Sequence, residues 1–337
     1  MKKISILDCT LRDGGSLNNY LFGNENIIEI FQKLNDAKIE FVETGFIDNN
    51  STENINCSLN PTNYFFDNLS SQITNKTSKA VAMVDLSKYD LNNFNITKSK
   101  NLDGIGIMFK KEQLNSAIDF AQKLKDLNYK TILNPVSITS YSKEDLNILF
   151  EETNKLNPYA IYIIDTYGLL NTQETSDLYD LFNKNLNKEI IIGYHSHNNL
   201  QLSFANSIEI ANKNDDRNII IDSSLYGMGK RAGNTPTELI TQYMNTSENK
   251  DYNLNILSTL IEKIIAPLHK TFEWGYSLIH YTASINKCHS DYVSYLSKEK
   301  NLSFEEINRI LKLINEEQKL TFNKQHIENI LTGVKNG

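Results

Sequence analysis

Two histidines separated by a single residue, His195 and His197, form the sharpest chemical pattern in the sequence, and no other histidine occurs before His269. On an extended strand, residues i and i+2 point to the same side, so both imidazoles can face one cation. Two ordinary polar residues at a strand end would show the same spacing. Imidazole combined with carboxylate suits Mn²⁺, Mg²⁺, Fe²⁺ or Co²⁺ and also accommodates Zn²⁺. We expect one divalent ion, with Mn²⁺ or Mg²⁺ ahead of Zn²⁺ or Co²⁺.

A carboxylate that would complete such a site is Asp13, which directly follows Arg12. An arginine beside an aspartate can simply form an ion pair. Alternatively, the Asp13 carboxylate binds the metal, and the Arg12 guanidinium binds an anionic substrate or a developing enolate. Spacing alone leaves both interpretations open.

The elements that would position these residues are eight short apolar runs that alternate with amphipathic stretches. Nearly continuous apolar character is typical of strands that are covered on both faces. Strand and helix patterns that alternate with short connections indicate a parallel α/β sheet, and eight strands are what a closed barrel needs. We therefore predict a (β/α)8 TIM barrel. The runs are Ile4–Leu7, Phe41–Phe46, Ala80–Val84, Gly104–Phe109, Thr131–Val136, Ala160–Ile164, Ile190–His195 and Ile219–Ser223.

An open doubly wound sheet is the rival architecture. It would usually carry a G-x-G-x-x-G turn after its first strand, whereas residues 8–15 here do not have that pattern. After about residue 250 the strand pattern stops and only helical patterns follow. We predict a metal-dependent catalytic barrel over residues 1–250 and a helical C-terminal extension over residues 251–337.

Polar residues stand at the carboxyl ends of the predicted strands, where a parallel barrel builds its active site. Placing them at the end of apolar strands costs desolvation, which a ligand or metal can offset. Asn134, Asp165 and Thr166 are candidate substrate contacts, although they could equally cap the following helices. Tyr141 is a further candidate for substrate binding.

The bulk composition excludes several classes of partner. The chain has 337 residues with a net charge of −7. Its basic residues are dispersed, so nucleic acid and anionic membranes are poor partners. No apolar run reaches the roughly 18 residues that a membrane span needs. Three scattered cysteines argue against a disulfide framework. We expect a cytoplasmic protein.

The segment Leu7–Gly15 resembles the D-x-T-L-R-D-G signature of the DRE-TIM metallolyase (HMG-CoA lyase-like) superfamily. Three further matches stand in the same order, at Val42–Phe46, Gly193–Asn198 and Gly227–Asn234. The resemblance covers roughly residues 4–245. It implies that Asp13, His195 and His197 are the metal ligands and Arg12 the catalytic arginine. It also implies supporting roles for the carboxylates of Glu43 and Asp8. Asn234 would be a further ligand or substrate contact.

Within this superfamily, the chain is most similar to the 4-hydroxy-2-oxovalerate aldolases. Ile164 stands where the transcarboxylases carry a lysine, and the loop Gly227–Gly233 lacks the cysteine of HMG-CoA lyases. The resemblance implies cleavage or formation of a 4-hydroxy-2-oxo acid through a pyruvate-type enolate, with 2-oxo acid and aldehyde substrates. It also implies a homo-oligomer with an aldehyde dehydrogenase as a partner. An acyl-CoA-dependent Claisen enzyme is the nearer alternative, and a non-catalytic metabolite-binding barrel the more remote one.

The identity of the proton carrier is where the sequence departs from the aldolase pattern. Those aldolases have a histidine shortly after Arg-Asp-Gly, but residues 15–20 here contain none. Either Tyr20, Tyr141 or a metal-bound water moves the proton, or the acceptor and the reaction differ from those of the aldolases. By the same resemblance, a tyrosine of the helical extension approaches the substrate, and Tyr276 is the candidate, followed by Tyr281. Among 17 tyrosines, simple packing is the competing interpretation. The extension also holds four histidines, of which His280 and His289 are the better candidates.

Overall fold

The computed structural model describes residues 3–335, in which eight parallel strands close into a barrel. Each strand pairs with the next along the chain, and β1 pairs with both β2 and β8, which closes the ring. The predicted TIM barrel is therefore confirmed. The strands are β1 Ile4–Asp8, β2 Phe41–Ile47, β3 Lys79–Asp85, β4 Gly104–Phe109, β5 Lys130–Pro135, β6 Ala160–Asp165, β7 Ile191–Ser196 and β8 Ile219–Ser223.

Seven helices follow seven of the eight strands, whereas residues 86–103, between β3 and β4, contain turns and no helix. Local sequence explains where several helices begin. Ser142 and Asp145 form a capping box at the start of α4, and Asn171 and Glu174 form another at α5. The helices are α1 Asn24–Asp36, α2 Asn63–Ser71, α3 Leu114–Asp126, α4 Lys143–Leu156, α5 Thr172–Asn185, α6 Ser203–Ala211 and α7 Thr237–Ser247.

The strands are apolar on both faces because each face meets a different part of the core. In β6, Ala160, Tyr162 and Ile164 belong to an apolar cluster inside the barrel. Ile161 and Ile163 belong instead to the larger cluster between the strands and the helices. This two-sided burial is what the continuous apolar runs predict.

From residue 248 to residue 335 the regular elements are all helices, and they fall into two parts. Helices α8 Leu254–Leu260 and α9 Ala266–Thr271, joined by the π-helical turn Ile261–Ile265, contribute to the barrel's own apolar core. The later helices surround a separate apolar cluster that includes Tyr292 and Leu296. They are α10 Leu278–Ile285, α11 Ser290–Ser294, α12 Phe304–Leu311, α13 Glu316–Lys319 and α14 Lys324–Lys335.

Tyr167, just after β6, connects this second part to the mouth of the barrel. Its carbonyl accepts a hydrogen bond from the hydroxyl of Ser284 on α10, at 3.2 Å, and its own hydroxyl donates to the carbonyl of Leu320, at 2.7 Å. The extension therefore lies over the carboxyl ends of the strands. Among residues 3–335, no helix combines the length and the apolar composition that crossing a membrane requires.

Candidate metal centre

The Asp13 carboxylate accepts three hydrogen bonds, and the residue lies in a tight turn after β1. Its backbone N–H donates to the carbonyl of Cys9 at 2.8 Å, which folds the chain back toward the barrel axis. One carboxylate oxygen accepts from Nη1 of Arg12, at 3.1 Å. The other accepts from Nδ2 of Asn234, at 2.9 Å, and from the backbone N–H of Lys230, at 3.3 Å. The loop after β8 thus positions a carboxylate that follows β1.

His195 lies near the end of β7, and His197 directly follows the strand. One ring nitrogen of each histidine lies within hydrogen-bonding distance of an oxygen atom. Nδ1 of His195 lies 3.1 Å from a carboxylate oxygen of Asp222, which is in β8. Nδ1 of His197 lies 3.3 Å from the carbonyl oxygen of Gly233. When Nδ1 donates in this way, the tautomer is set and Nε2 remains to bind a metal.

Asp13, His195 and His197 converge, because each offers a ligand atom and these atoms lie within 4.8 Å of one another. All three residues are buried. Two buried oxygens in the same region, Oδ1 of Asn234 and Oδ1 of Asp222, have no hydrogen-bond partner among residues 3–335. A nitrogen and oxygen donor set next to unpartnered buried oxygens fits a divalent cation. A second, overlapping group consists of Cys9, His195 and Asp222.

Arg12 lies beside the metal-ligand candidates in a cluster of charges. Its Nε donates to Glu43 at 2.6 Å, and its Nη2 lies 3.8 Å from Asp222. Glu43 reaches this position from β2, whose register with β3 shifts between Glu43 and Gly45. Gly45 has φ of +140°, and a side-chain carbon there would lie 1.8 Å from the carbonyl oxygen of Ser58. Only glycine fits at this bulge.

Electrostatics favour an ionised Asp13 next to neutral imidazole. Burial lowers the pKa of His197 well below its ordinary value, which keeps the ring uncharged and able to bind a metal. Burial alone would raise the pKa of Asp13, but neighbouring positive charge holds it well below its usual range. His197, Arg12, His195 and Lys230 lower this pKa, in that order, and Arg12 contacts the carboxylate directly. Burial raises the pKa of Glu43 to about 7, against the opposing effect of Arg12.

Among the predicted substrate contacts, the structure engages Asn134, Asp165 and Thr166 in local hydrogen bonds. The Asp165 oxygens accept from the backbone N–H groups of Leu169 and Leu170, at 2.9 and 3.0 Å, so this carboxylate orders the loop after β6. Thr166 Oγ1 accepts from the N–H of Ser137, at 2.7 Å. Asn134 Nδ2 donates to the carbonyl of Ile132, at 3.1 Å.

The two tyrosine candidates lie in different surroundings. Tyr141 is half-buried, and its hydroxyl has no hydrogen-bond partner in the described chain. Tyr276 is 60% exposed and lines a groove of about 180 Å³ together with Trp274, His269 and Asn234. The groove reaches Asn234 from the side of the extension, so Tyr276 approaches the edge of the site and lies outside the metal-ligand cluster.

Asp222 is the residue of the site that sequence reasoning did not single out. It stands in an apolar strand, Ile219–Ser223, that pairs with β7 through Ile192, Gly193 and Tyr194. An acidic residue inside a run of isoleucines is a signal that could have found it, because burying a carboxylate there requires a partner. The partner is His195.

The HMGL-like family model matches residues 3–264 of the chain. This chain belongs to the HMGL-like family. The resemblance to the DRE-TIM metallolyases is thereby confirmed at the level of the family. DRE-TIM enzymes use a divalent metal, and the residues described above contain clusters that fit one.

The curated relatives of this HMGL-like chain include aldolases and a homocitrate synthase. It is 22% identical over 271 residues to a 4-hydroxy-2-oxovalerate aldolase of Geobacillus thermodenitrificans, covering 79% of this chain and 77% of the relative. It is 23% identical over 268 residues to the homocitrate synthase AksA of Methanothermobacter thermautotrophicus, covering 77% and 67%. The family is therefore clear, whereas these identities leave the particular reaction open.

Solved structures share the fold. The N-terminal domain of a Bacteroides vulgatus protein superposes with a TM-score of 0.77 at 24% identity, covering 90% of this chain and 99% of that one. The HMG-CoA lyase of Brucella melitensis superposes with a TM-score of 0.62 at 12% identity, covering 80% and 100%. At such identities, the likeness concerns the fold alone.

Proposed function

We propose that this protein is a divalent-metal-dependent aldolase that forms or cleaves a 4-hydroxy-2-oxo acid through a pyruvate-type enolate. The observation that carries the proposal is the convergence of Asp13, His195 and His197 within 4.8 Å, with the Arg12 guanidinium beside them. The aldolases among its relatives support the choice of reaction. The substrates are a 2-oxo acid and an aldehyde.

The residues of the proposed active site have different roles in binding the metal and stabilising negative charge. Asp13, His195 and His197 would hold the ion, and Asn234 Oδ1 is a further oxygen available to it or to substrate. The bound metal would supply Lewis-acid polarisation of the 2-oxo acid. Arg12 is held by Glu43 and donates hydrogen bonds to the oxygen on which negative charge develops.

Proton transfer falls to Tyr20 rather than Tyr141 in this proposal. Burial raises the pKa of Tyr20 to about 12, and the charges of Asp13 and Arg12 also act on its hydroxyl. The backbone N–H of Tyr20 donates to the carbonyl of Gly15 at 2.6 Å, two residues beyond Asp13, and its hydroxyl is protonated at neutral pH, as a proton donor must be. The charges that act on Tyr141 come instead from Glu112 and Asp145, outside the site.

A Claisen condensation is the second candidate, because one relative is a homocitrate synthase. Such an enzyme would use an acyl-CoA as the enolate source and a 2-oxo acid as the acceptor. The two reactions differ in a simple observable, since only the Claisen reaction releases a free thiol from acetyl-CoA.

The decisive experiment follows deuterium incorporation into pyruvate in D₂O by mass spectrometry, with the metal-loaded protein and with EDTA. We expect metal-dependent exchange in the native protein and none in Asp13→Ala or His197→Ala, both still folded by circular dichroism. His326→Ala, on α14, is the matched control and should exchange normally. Full exchange in either site variant after chelation and metal re-addition would refute the assignment. Thiol release from acetyl-CoA without pyruvate exchange would favour the Claisen reaction.

A further inference from the structure

Arg231 is a partly buried arginine with no carboxylate partner at ion-pair distance among residues 3–335. It lies in the loop after β8 with a left-handed backbone, φ +60°. Its Nη1 donates to the carbonyl of Thr166 at 3.0 Å, and its guanidinium carbon lies 4.7 Å from the centre of the Tyr167 ring. Its Nε is buried and has no hydrogen-bond partner in the described part of the chain. The guanidinium is thus fixed in direction but not neutralised.

His280 on α10 is a second polar group without a partner in the same region. Its Nδ1 is buried and makes no hydrogen bond in the described chain. It lies one helical turn before Ser284, whose hydroxyl contacts Tyr167, so both face the barrel mouth. Burial, together with the charge of Arg231, lowers the pKa of His280 to about 4. The ring is therefore neutral at pH 7 and has one N–H to donate.

The charges of Asp13, Asp291 and Asp165 act on Arg231, but none of these carboxylates forms an ion pair with it within the described residues. Lys230 and His289 also lie near Arg231, and the edge of the His289 ring meets Tyr167 with centroids 5.8 Å apart. Asp165 has both oxygens occupied by backbone N–H groups, and the carboxylate of Asp13 accepts from Arg12, Asn234 and Lys230. Leaving a guanidinium partly buried without a counter-ion is costly, and a bound anion would offset that cost.

We propose that Arg231 and His280 form a subsite for an anionic group, either a carboxylate or a phosphate, on the aldehyde acceptor. The inference rests on the proposed aldolase function and names the class of its second substrate. The subsite adjoins the metal centre, because Arg231 belongs to the same loop as Lys230 and Asn234, which both donate to Asp13. A guanidinium held by Thr166 and Tyr167 keeps its remaining N–H groups for such an oxyanion.

The test measures binding of three aldehydes to the Mn²⁺-loaded protein by calorimetry. Succinic semialdehyde carries a carboxylate, glyceraldehyde 3-phosphate carries a phosphate, and butanal is neutral. We expect at least one anionic aldehyde to bind about tenfold or more tightly than butanal, which is the scale of one charge-assisted contact. Whichever anionic aldehyde binds more tightly identifies the group. Equal binding of all three aldehydes would overturn the subsite.

Substitutions then test whether the preference for anionic aldehydes depends on Arg231 and His280. Arg231→Gln should reduce the ratio of anionic to neutral affinity to near one, Arg231→Lys should retain part of it, and His280→Asn should lower it several-fold. Arg309→Gln removes a charge from the exposed face of α12 and should leave the ratio unchanged. Thermal melting checks that each variant is folded. An unchanged ratio in folded Arg231→Gln would refute the proposal.

The outcomes separate this inference from the proposed function, because binding is measured without turnover. A preference that depends on Arg231 in a protein that does not exchange pyruvate would keep the subsite and reject the pyruvate aldolase. Pyruvate exchange without any preference for anionic aldehydes would keep the aldolase and reject the subsite.

Discussion

Nδ1 of His195 lies 3.1 Å from a carboxylate oxygen of Asp222, and both residues are buried. The contact joins β7 to β8 and fixes which ring nitrogen of His195 faces Asp13. Since a carboxylate that orients a ligating histidine typically contributes 10- to 100-fold to metal affinity, Asp222→Ala should weaken Mn²⁺ binding by about that factor. Calorimetry of the apo protein with Mn²⁺ measures it. Asp216→Asn, at an exposed position, is the control, and equal affinity in the two variants would contradict this role.

Gly229 leaves space for the metal centre. A side-chain carbon at this position would lie 2.3 Å from Nδ2 of Asn234 and 2.6 Å from Oδ2 of Asp13. We expect Gly229→Ala to displace Asp13 and to lower Mn²⁺ affinity at least tenfold while the barrel still folds. Gly333→Ala, where no atom lies within 4 Å, should bind Mn²⁺ like the native protein. Native affinity in Gly229→Ala would show that Asp13 does not need its present position.

The strands could be predicted from sequence because both of their faces are buried, so each one appears as a short continuous apolar run. The predicted and observed bounds of β4 and β8 coincide, and the others agree within one or two residues. Two motifs, at the ends of β1 and β7, likewise located Arg12, Asp13, His195 and His197, which the barrel brings together. The predicted domain boundary at residue 250 stays a prediction. Leu257 and Leu260 of α8 pack in the barrel core, and the separate apolar cluster begins later in the chain.

The features of the site that the sequence did not predict depend on contacts between segments that are far apart in the chain. Asp222 meets His195 only because β7 and β8 pair in one particular register. Arg231 and His280 approach each other because Ser284 docks α10 on Tyr167. The bulge at Gly45, which aims Glu43 at Arg12, is likewise a property of the sheet. None of these relations has a characteristic spacing along the chain.

Tyr20 and Tyr141 provide a matched pair for the proton-transfer step. Tyr20→Phe should lower the rate of metal-dependent deuterium exchange into pyruvate by about 10²-fold or more, in line with loss of a general acid or base. Tyr141→Phe removes a hydroxyl that has no hydrogen-bond partner between residues 3 and 335 and should change the rate by less than about threefold. Equal effects of the two substitutions, or a larger effect at Tyr141, would exclude Tyr20 as the proton carrier.

The ionisation of Asp8 should make the folded protein less stable as the pH rises. Burial raises its pKa to about 6 in the folded protein, against 3.8 for an unperturbed aspartate. The folded state therefore holds this proton more tightly, and its stabilising effect, full below about pH 4, is lost as the pH rises through 6. Relative to Asp8→Asn, the native free energy of unfolding should fall by about 3 kcal/mol between pH 3 and pH 7.

The Asp8→Asn variant isolates that one ionisation. Thr237 donates to Asp8 at 2.6 Å and also contacts Ser223 at 2.8 Å, so its hydroxyl can turn to accept from an amide. Urea unfolding of both proteins in EDTA, at several pH values, gives the difference without a contribution from metal binding. Parallel stability curves for the two proteins would mean that Asp8 ionises as readily in the folded chain as in the unfolded one.

The separate apolar cluster of the later helices has an evolutionary consequence. Tyr292, Leu296 and their neighbours are buried among themselves and share no core residues with the barrel strands. Substitutions in that cluster can therefore shift α10 without loosening the strands that hold the metal ligands. Descendants of one ancestral chain can diverge in the extension while inheriting the same barrel and the same arrangement of Asp13, His195 and His197.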